Sequence, residues 1–205
     1  MFITFEGIEG SGKSTQRDQL TQYLSRQGVS FIETREPGGT PLGVRLRQIL
    51  LEETTPITAH QTELFLFAAD RIEHIHQVIQ PALNKNQWVI CDRYIDSTYA
   101  YQHGGRQHSK DNVINIIRMT EAIEPDITFF LDMSVEEGLK RATSRGKLDR
   151  FEREPIDFHH RIREAYLARC CEYPDRMVRI DAESRSIGVI FKDILDNIKQ
   201  RSDTL

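Results

Sequence analysis

The segment Gly7-Ile8-Glu9-Gly10-Ser11-Gly12-Lys13-Ser14-Thr15 carries the chemistry most openly readable in this chain. Gly7, Gly12, Lys13 and Ser14 stand at the spacing G-x-x-x-x-G-K-S, in which glycines let the backbone turn successive N–H groups toward a polyphosphate. A helix beginning at Lys13 adds partial positive charge at the same point. Lys13 would reach the β- and γ-phosphates, and the Ser14 hydroxyl would join a Mg²⁺ coordination shell. A chance glycine-rich turn would show the spacing without the context. Here strand-like Phe2, Ile3 and Phe5 precede the turn, and Leu20, Tyr23 and Leu24 follow it at helical spacing. The combination implies a bound nucleoside triphosphate.

Three further groups could act on what that site holds. Asp92-Arg93 directly follows a hydrophobic run, where an aspartate can hold Mg²⁺ or its waters and an arginine can clamp a phosphate bidentately. A structural ion pair is the competing explanation, and the nearby P-loop favours function. Phe67 and Arg71 are four apart and share a helix face, so a ring and a donor fork would meet a flat base with an acceptor edge. By spacing alone, Phe67 filling the core while Arg71 reaches outward is the commoner arrangement. The segment from Arg141 through Arg145, Lys147 and Arg150 to Arg153 is rich in cations. It reads either as solvated surface or as a loop that closes over phosphates and neutralises their charge.

These groups need a scaffold to bring them together. The pattern predicts a helix over Lys13–Gln27 capped by Gly28, a strand over Val29–Thr34, and a break at Arg35–Thr40. Thr40-Pro41 restarts a helix whose Leu46, Ile49 and Leu50 face a core, with Arg47 on another face. A long helix opens near Thr58, with Gln61 completing a capping box, and carries Phe67, Arg71, Ile72, Ile75 and Ile79 until Pro81 kinks or ends it. Gln87–Asp92 reads as a buried strand, and Arg93–Arg106 as a polar, aromatic segment. Ser109 caps a helix bearing Val113, Ile116 and Ile117, and Asp126–Leu131 is another buried strand. Ser134 with Glu137 opens the next helix as a second capping box. Residues 144–154 read as a mobile basic lid, followed by a helix around Ile162, Ala165 and Tyr166. Strand Met177–Ile180 and a helix with Ile190, Ile194 and Ile198 close the chain. Strands alternating with helices imply an α/β fold with a parallel sheet covered on both faces. Its ligands bind beyond the carboxyl ends of the strands, where Glu6-Gly7, Arg35-Glu36, Asp92-Arg93 and Asp132 fall.

At 205 residues the chain suits one domain spanning 1–205. A net charge of -4 opposes a surface devoted to nucleic acid but leaves room for a basic pocket. No apolar run approaches the ~20 residues of a membrane helix, and the first residues enter a strand rather than a leader, so the cytoplasm is expected. Three cysteines make no disulfide framework; Cys91 reads as a buried thiol, and adjacent Cys170 and Cys171 suit neither a bridge nor a metal. The seven histidines lack zinc-ligand spacing, since His74 and His76 point apart on a helix.

FEGIEGSGKST (Phe5–Thr15), TREPGGT (Thr34–Thr40), LFAADR (Leu66–Arg71), DRYIDSTYAYQ (Asp92–Gln102) and RGKLDRFE (Arg145–Glu152) occur in this order. With these motifs the chain resembles bacterial thymidylate kinases over nearly its whole length. The resemblance implies a P-loop kinase fold with a central parallel sheet of about five strands flanked by helices, and transfer of phosphate from MgATP to dTMP. It also implies a homodimer. Glu9 would meet the sugar 3′-hydroxyl, Phe67 would stack on thymine, and Arg71 would donate to its O4. Arg93 and Arg47 would hold the acceptor phosphate, Ser97 and Gln102 would line the base pocket, and Tyr166 would form a wall near the sugar. Some members carry an arginine where this chain has Gly10. Members of the other type take their catalytic cation from the lid, here Arg145, Lys147 or Arg150. The alternatives are another P-loop nucleotide or deoxynucleoside kinase, and a nucleotide-binding switch without transfer activity.

Overall fold

The computed structural model describes residues 1–51, 57, 59–144, 146 and 148–202. Five short strands form its centre: β1 (Phe2–Glu6), β2 (Phe31–Arg35), β3 (Trp88–Asp92), β4 (Ile127–Asp132) and β5 (Met177–Asp181). They run parallel in the order β2-β3-β1-β4-β5. Because β1 is central, both its faces are covered. Ile3 and Phe5 join Leu20, Leu24, Phe129 and Ile194 in one core cluster, while Phe2 on the opposite face joins Ile79, Val89 and Tyr94 in another. The two-residue alternation of a strand produces this division.

Nine helices flank the sheet among the described residues: α1 (Lys13–Arg26), α2 (Pro41–Leu51), α3 (His60–His74), α4 (Gln80–Asn84), α5 (Ile95–Thr98), α6 (Lys110–Met119), α7 (Val135–Ser144), α8 (Ile156–Glu172) and α9 (Ile187–Lys199). The capping box expected at Thr58 lies outside the described residues. Helix α3 starts after Ala59, with no side-chain cap. Ile72 on this helix is exposed. Pro81 does not end the helix: a π-helical turn at Ile75–Ile79 precedes it, and the chain stays helical to Asn84. Widening the turn accommodates a residue that can neither donate to nor fit under the preceding one.

At the level of local structure one segment gains an assignment and one expectation needs correction. Arg93–Arg106 is helical through most of its length, as α5 runs into a π-helix at Tyr99–Gly105 that packs along α8. Ser134 and Glu137 form no capping box. Glu183 instead accepts from the Ser134 amide (2.9 Å) and hydroxyl (2.7 Å), and Glu137 turns to Arg141. A carboxylate from the far end of β5 thus binds the donors that a local one was expected to satisfy.

The parallel arrangement sends the carboxyl ends of all five strands to one edge. Arg35 and Asp92 are register partners there, as are Asp132 and Asp181. That edge carries the site.

Candidate active site

After β1 the chain turns through Gly7–Gly12 into α1, whose N-cap Gly12 adopts a left-handed φ of 90°. Lys13 ties the turn together: its ammonium donates to the carbonyls of Ile8 (2.8 Å) and Gly7 (3.0 Å). Burial pulls the Lys13 pKa down to about 8, and the cation of Arg93 adds to the effect. The loop lies directly on α7: a Cβ added at Gly10 would fall 2.2 Å from the Gly138 carbonyl oxygen. A side chain at position 10 would therefore have to displace α7.

Opposite the loop, arginines gather. Arg93 stands just past β3 with φ at 68°, a conformation costly for a non-glycine residue. Its amide donates to the Phe5 carbonyl (3.0 Å), and the next amide, of Tyr94, donates to Glu6 (2.7 Å). Those bonds to β1 hold the strained turn and aim the guanidinium at the P-loop, where it pairs with Glu9 and donates to the Gly7 carbonyl (3.0 Å). Burial opposes its charge most, but Glu9 together with Tyr101, Tyr166 and Asp92 outweighs it and drives the pKa up. Arg47, from α2, donates to the Pro37 carbonyl (3.0 Å). Its pKa is lowered by burial first and then by the cations of Arg35 and Arg93. The neighbouring cations that disfavour the charge of Arg47 leave positive potential there for an anion to relieve.

Glu6, fully buried beneath this cluster, accepts from the hydroxyls of Ser97 (2.5 Å) and Tyr166 (2.8 Å). Burial, with Asp96 nearby, raises its pKa. Tyr166 also shares a hydrogen bond with Ser97 (2.8 Å) and stacks on Phe130. It is completely buried and supports the site from below rather than forming a wall of it.

Arg71 does not reach outward. It is 2% exposed and gives Nε (3.0 Å) and Nη2 (2.7 Å) to Glu36, with Nη2 also 2.8 Å from the Thr98 hydroxyl. Nη1 takes part in none of these bonds. Glu36 is held in turn by His74 (2.9 Å), which reaches Thr34 (2.6 Å). Phe67 lies at the same recess, its ring centroid 6.1 Å from that of Phe151. Gln102 lines the recess as well.

These groups surround one cavity of about 610 Å³. It is lined by Glu9–Thr15 of the loop and by Arg47, Phe67, Arg71, Asp92, Arg93, Ser97 and Gln102. The structure therefore brings together most of the residues singled out in the sequence. Gly7 and Ile8 contribute backbone bonds to Lys13 but do not line the cavity. Arg145 and Lys147 lie outside the described residues. Arg150 does not line the cavity: it bonds the Leu50 carbonyl (2.8 Å) and Glu63 (2.5 Å). Within the segment read as a mobile lid, Phe151 is buried among Phe67, Tyr101 and Phe158.

Ser14 and Asp92 are hard oxygen donors on the same cavity, Ser14 exposed and Asp92 3.4 Å from Arg17. Two such groups suit Mg²⁺, which keeps waters and phosphate oxygens in its remaining positions. Several lining residues escaped the sequence reading. Arg35 was visible only as a charge at a strand end, and Asp149 only as an acid in a charged loop. Arg141, Ala182 and Arg185 line the cavity too. Arg141 was visible as the first cation of the basic segment, whereas no local pattern marks Arg185, which the fold brings in on the loop after β5.

A family model described as thymidylate kinase matches residues 5–194. A thymidylate kinase of Alkalilimnicola ehrlichii is 47% identical over 183 residues, covering 88% of this chain and 84% of that protein. One of Pseudomonas putida strain W619 is 44% identical over 206 residues, covering 97% of this chain and all of that protein (100%). The crystal structure of thymidylate kinase from Ehrlichia chaffeensis superposes with a TM-score of 0.78 at 32% identity, covering 97% of this chain and 98% of that one.

Proposed function

The chain belongs to the thymidylate kinase family, and from that premise we propose how its residues divide the work of phosphorylating dTMP to dTDP with ATP. The P-loop, Gly7–Thr15, cradles the donor phosphates with its N–H groups, and Lys13 turns from its two carbonyls to them. Arg141, Ala182 and Arg185 border the donor's base at the far end. Ser14 and Asp92 would hold Mg²⁺ or its waters, and the ion would neutralise charge on the phosphates.

Arg93 and Arg47, with Arg35, hold the acceptor phosphate; the crowding that lowers the Arg47 pKa supports this reading. Glu9 meets the sugar hydroxyl, and Phe67 stacks on the base. Arg71, with Nε and Nη2 occupied by Glu36, offers Nη1 to O4. Ser97 and Gln102 complete the recess, and Tyr166 steadies Ser97. The acceptor phosphate is already ionised, so transfer needs alignment and charge neutralisation more than a strong base. The lid supplies the remaining cation, Arg145 or Arg150.

One observation carries the proposal. Guanidinium groups face the P-loop across a single cavity whose other end is a recess holding Phe67 and Arg71. A kinase acting on a nucleoside hydroxyl needs a base more than a set of phosphate-binding guanidinium groups, and this alternative is not favoured by the family match. The test is ADP release from ATP with a panel of nucleoside monophosphates. The reading expects rapid release with dTMP, slow release with dUMP and almost none with dCMP or purines. Equal rates across the panel, or release that does not depend on the acceptor, would refute it.

We propose further that the enzyme works as a homodimer in the cytoplasm. Leu42 and Val44 on α2, Phe65 and Ile72 on α3, and Met119 on α6 are exposed apolar residues on helices that pack side by side. Such a patch is a candidate for burial between copies. No helix among the described residues is long and apolar enough to cross a membrane.

A further inference from the structure

Glu63 lies one shell behind the base recess and has no part in the division of labour above. Its side chain is 0% exposed, and it is the hub of a polar cluster. Arg106 reaches both its oxygens (Nε to Oε1 and Nη2 to Oε2, each 3.0 Å), and Arg150 donates to Oε2 (2.5 Å). Burial alone would raise its pKa, but Arg106 and then Arg150 outweigh burial and lower it, so the carboxylate is ionised. Oε1 accepts one more bond, from Nε2 of Gln102 at 3.2 Å.

That last contact restricts Gln102. A primary amide has one end that donates and one that accepts, and most surroundings allow it to flip. An ionised carboxylate only accepts. The NH₂ of Gln102 must therefore face Glu63, and the carbonyl must face the other way. Oε1 of Gln102 is buried and has no partner among the described residues, in a side chain that lines the cavity. A buried acceptor without a partner implies a donor supplied by the occupant.

Resting on the thymidylate reading of the recess, we propose that Glu63 is a positioning residue for acceptor choice. It holds the Gln102 amide so that its carbonyl receives the N3–H of a thymine-type imide. Cytosine carries a lone pair at N3, which would face that carbonyl without a proton between them. With the amide locked, Gln102 cannot flip to offer its NH₂ instead. The lock therefore adds to the discrimination exerted by Arg71 at the 4-position and acts on a different atom of the base.

The test compares kcat/KM for dTMP and 5-methyl-dCMP, which share the 5-methyl group. Four proteins are needed: wild type, Glu63→Gln, Gln102→Ala and the double variant. Glu63→Gln preserves shape but gives position 63 an NH₂ group, while Arg106 and Arg150 claim its carbonyl. Gln102 is then free to turn its own carbonyl inward. The dTMP preference should fall by roughly 10-fold or more, a change of the size expected when one buried polar contact is mispaired. In the Gln102→Ala background the same substitution should leave the preference unchanged. A purely structural role for Glu63 would lower the melting temperature and both activities together without moving the ratio. A ratio within about 2-fold of wild type in Glu63→Gln, or an equal shift in both backgrounds, overturns the proposal. If wild type itself fails to prefer dTMP, the thymidylate reading falls, and this inference with it.

Discussion

At the scale of single residues, two buried charges give opposite and checkable pH signatures. Lys13 has its folded pKa lowered to about 8 by burial and by Arg93. Its cation is what a polyphosphate needs, and kcat/KM reports the free enzyme. A plot of kcat/KM for ATP should therefore decline as pH rises through about 8, and a flat profile to pH 9 would contradict the assignment. The lowered pKa also means that the unfolded chain holds this proton more tightly than the folded one. Stability from this group then rises with pH above about 8, and at pH 7 the buried ammonium is a burden. Lys13→Ala should melt near or above the wild-type temperature at pH 7 while kcat falls by ~10²-fold or more. Asp70 behaves in the other sense. Burial, then Glu36, raises its pKa to about 6, and its Oδ2 is buried without a partner among the described residues. A carboxylate raised on folding contributes stability at low pH that is lost as pH climbs from roughly 4 to 6. The melting temperature of wild type minus that of Asp70→Asn should therefore shrink across this window. A gap that widens instead would show the carboxylate to be stabilised in the fold.

At the scale of elements, the P-loop and α7 form one unit. A Cβ at Gly138 would lie 2.6 Å from the Glu9 carbonyl oxygen and 2.8 Å from Ile8 Cδ1. Gly138→Ala must push the loop off its position, at about 1–3 kcal/mol for overpacking. It should lower both the melting temperature and kcat/KM for ATP; an unchanged kcat/KM would mean that the loop relaxes without consequence. The lid makes a second element-level prediction. Arg150 is engaged with Glu63, so if it serves transfer it must exchange that partner. Arg145→Ala and Arg150→Ala, assayed separately, should between them include one variant with reduced kcat and nearly unchanged dTMP affinity. Full kcat in both would remove the lid from catalysis. The sequence made much of this legible. The P-loop, the five strands, and helices α1, α6, α8 and α9 carry local periodicity and caps that tertiary packing did not override. Arg93 stood out by its place after a strand, Arg71 by its spacing from Phe67 and Arg47 by the family resemblance, and all three line the cavity. What was hidden depends on distance along the chain. Glu63 reads as an ordinary helical surface charge until Arg106 and Arg150, 43 and 87 residues away, fold onto it. The helical nature of Tyr99–Gly105 was masked because a π-helix departs from the 3.6-residue period that sequence patterns reveal. The cap on α7 comes from Glu183, 49 residues beyond Ser134.

At the scale of the whole molecule, the exposed apolar residues of α2, α3 and α6 make the oligomeric state a direct test. Phe65 is 58% exposed and Ile72, two helical turns along the same face, is 40% exposed. Phe65→Asp should shift the sedimentation of the protein from dimer to monomer at micromolar concentration. A wild-type protein that already sediments as a monomer would refute the dimer. The topology has a further consequence, for synthesis. β1 is central, yet its neighbours β3 and β4 come much later: Phe2 pairs with Val89, and Ile3 with Ile127. Ribosomes add roughly 5–20 residues per second, so the first strand waits on the order of 5–20 s for one neighbour and longer for the other. Through that interval Phe2, Ile3 and Phe5 have no sheet to enter, and their backbone amides and carbonyls have no ladder. The nascent chain is thus most exposed to mispairing at the segment that later becomes the best protected, and agents that shield emerging apolar strands should matter most before residue 92 has left the ribosome.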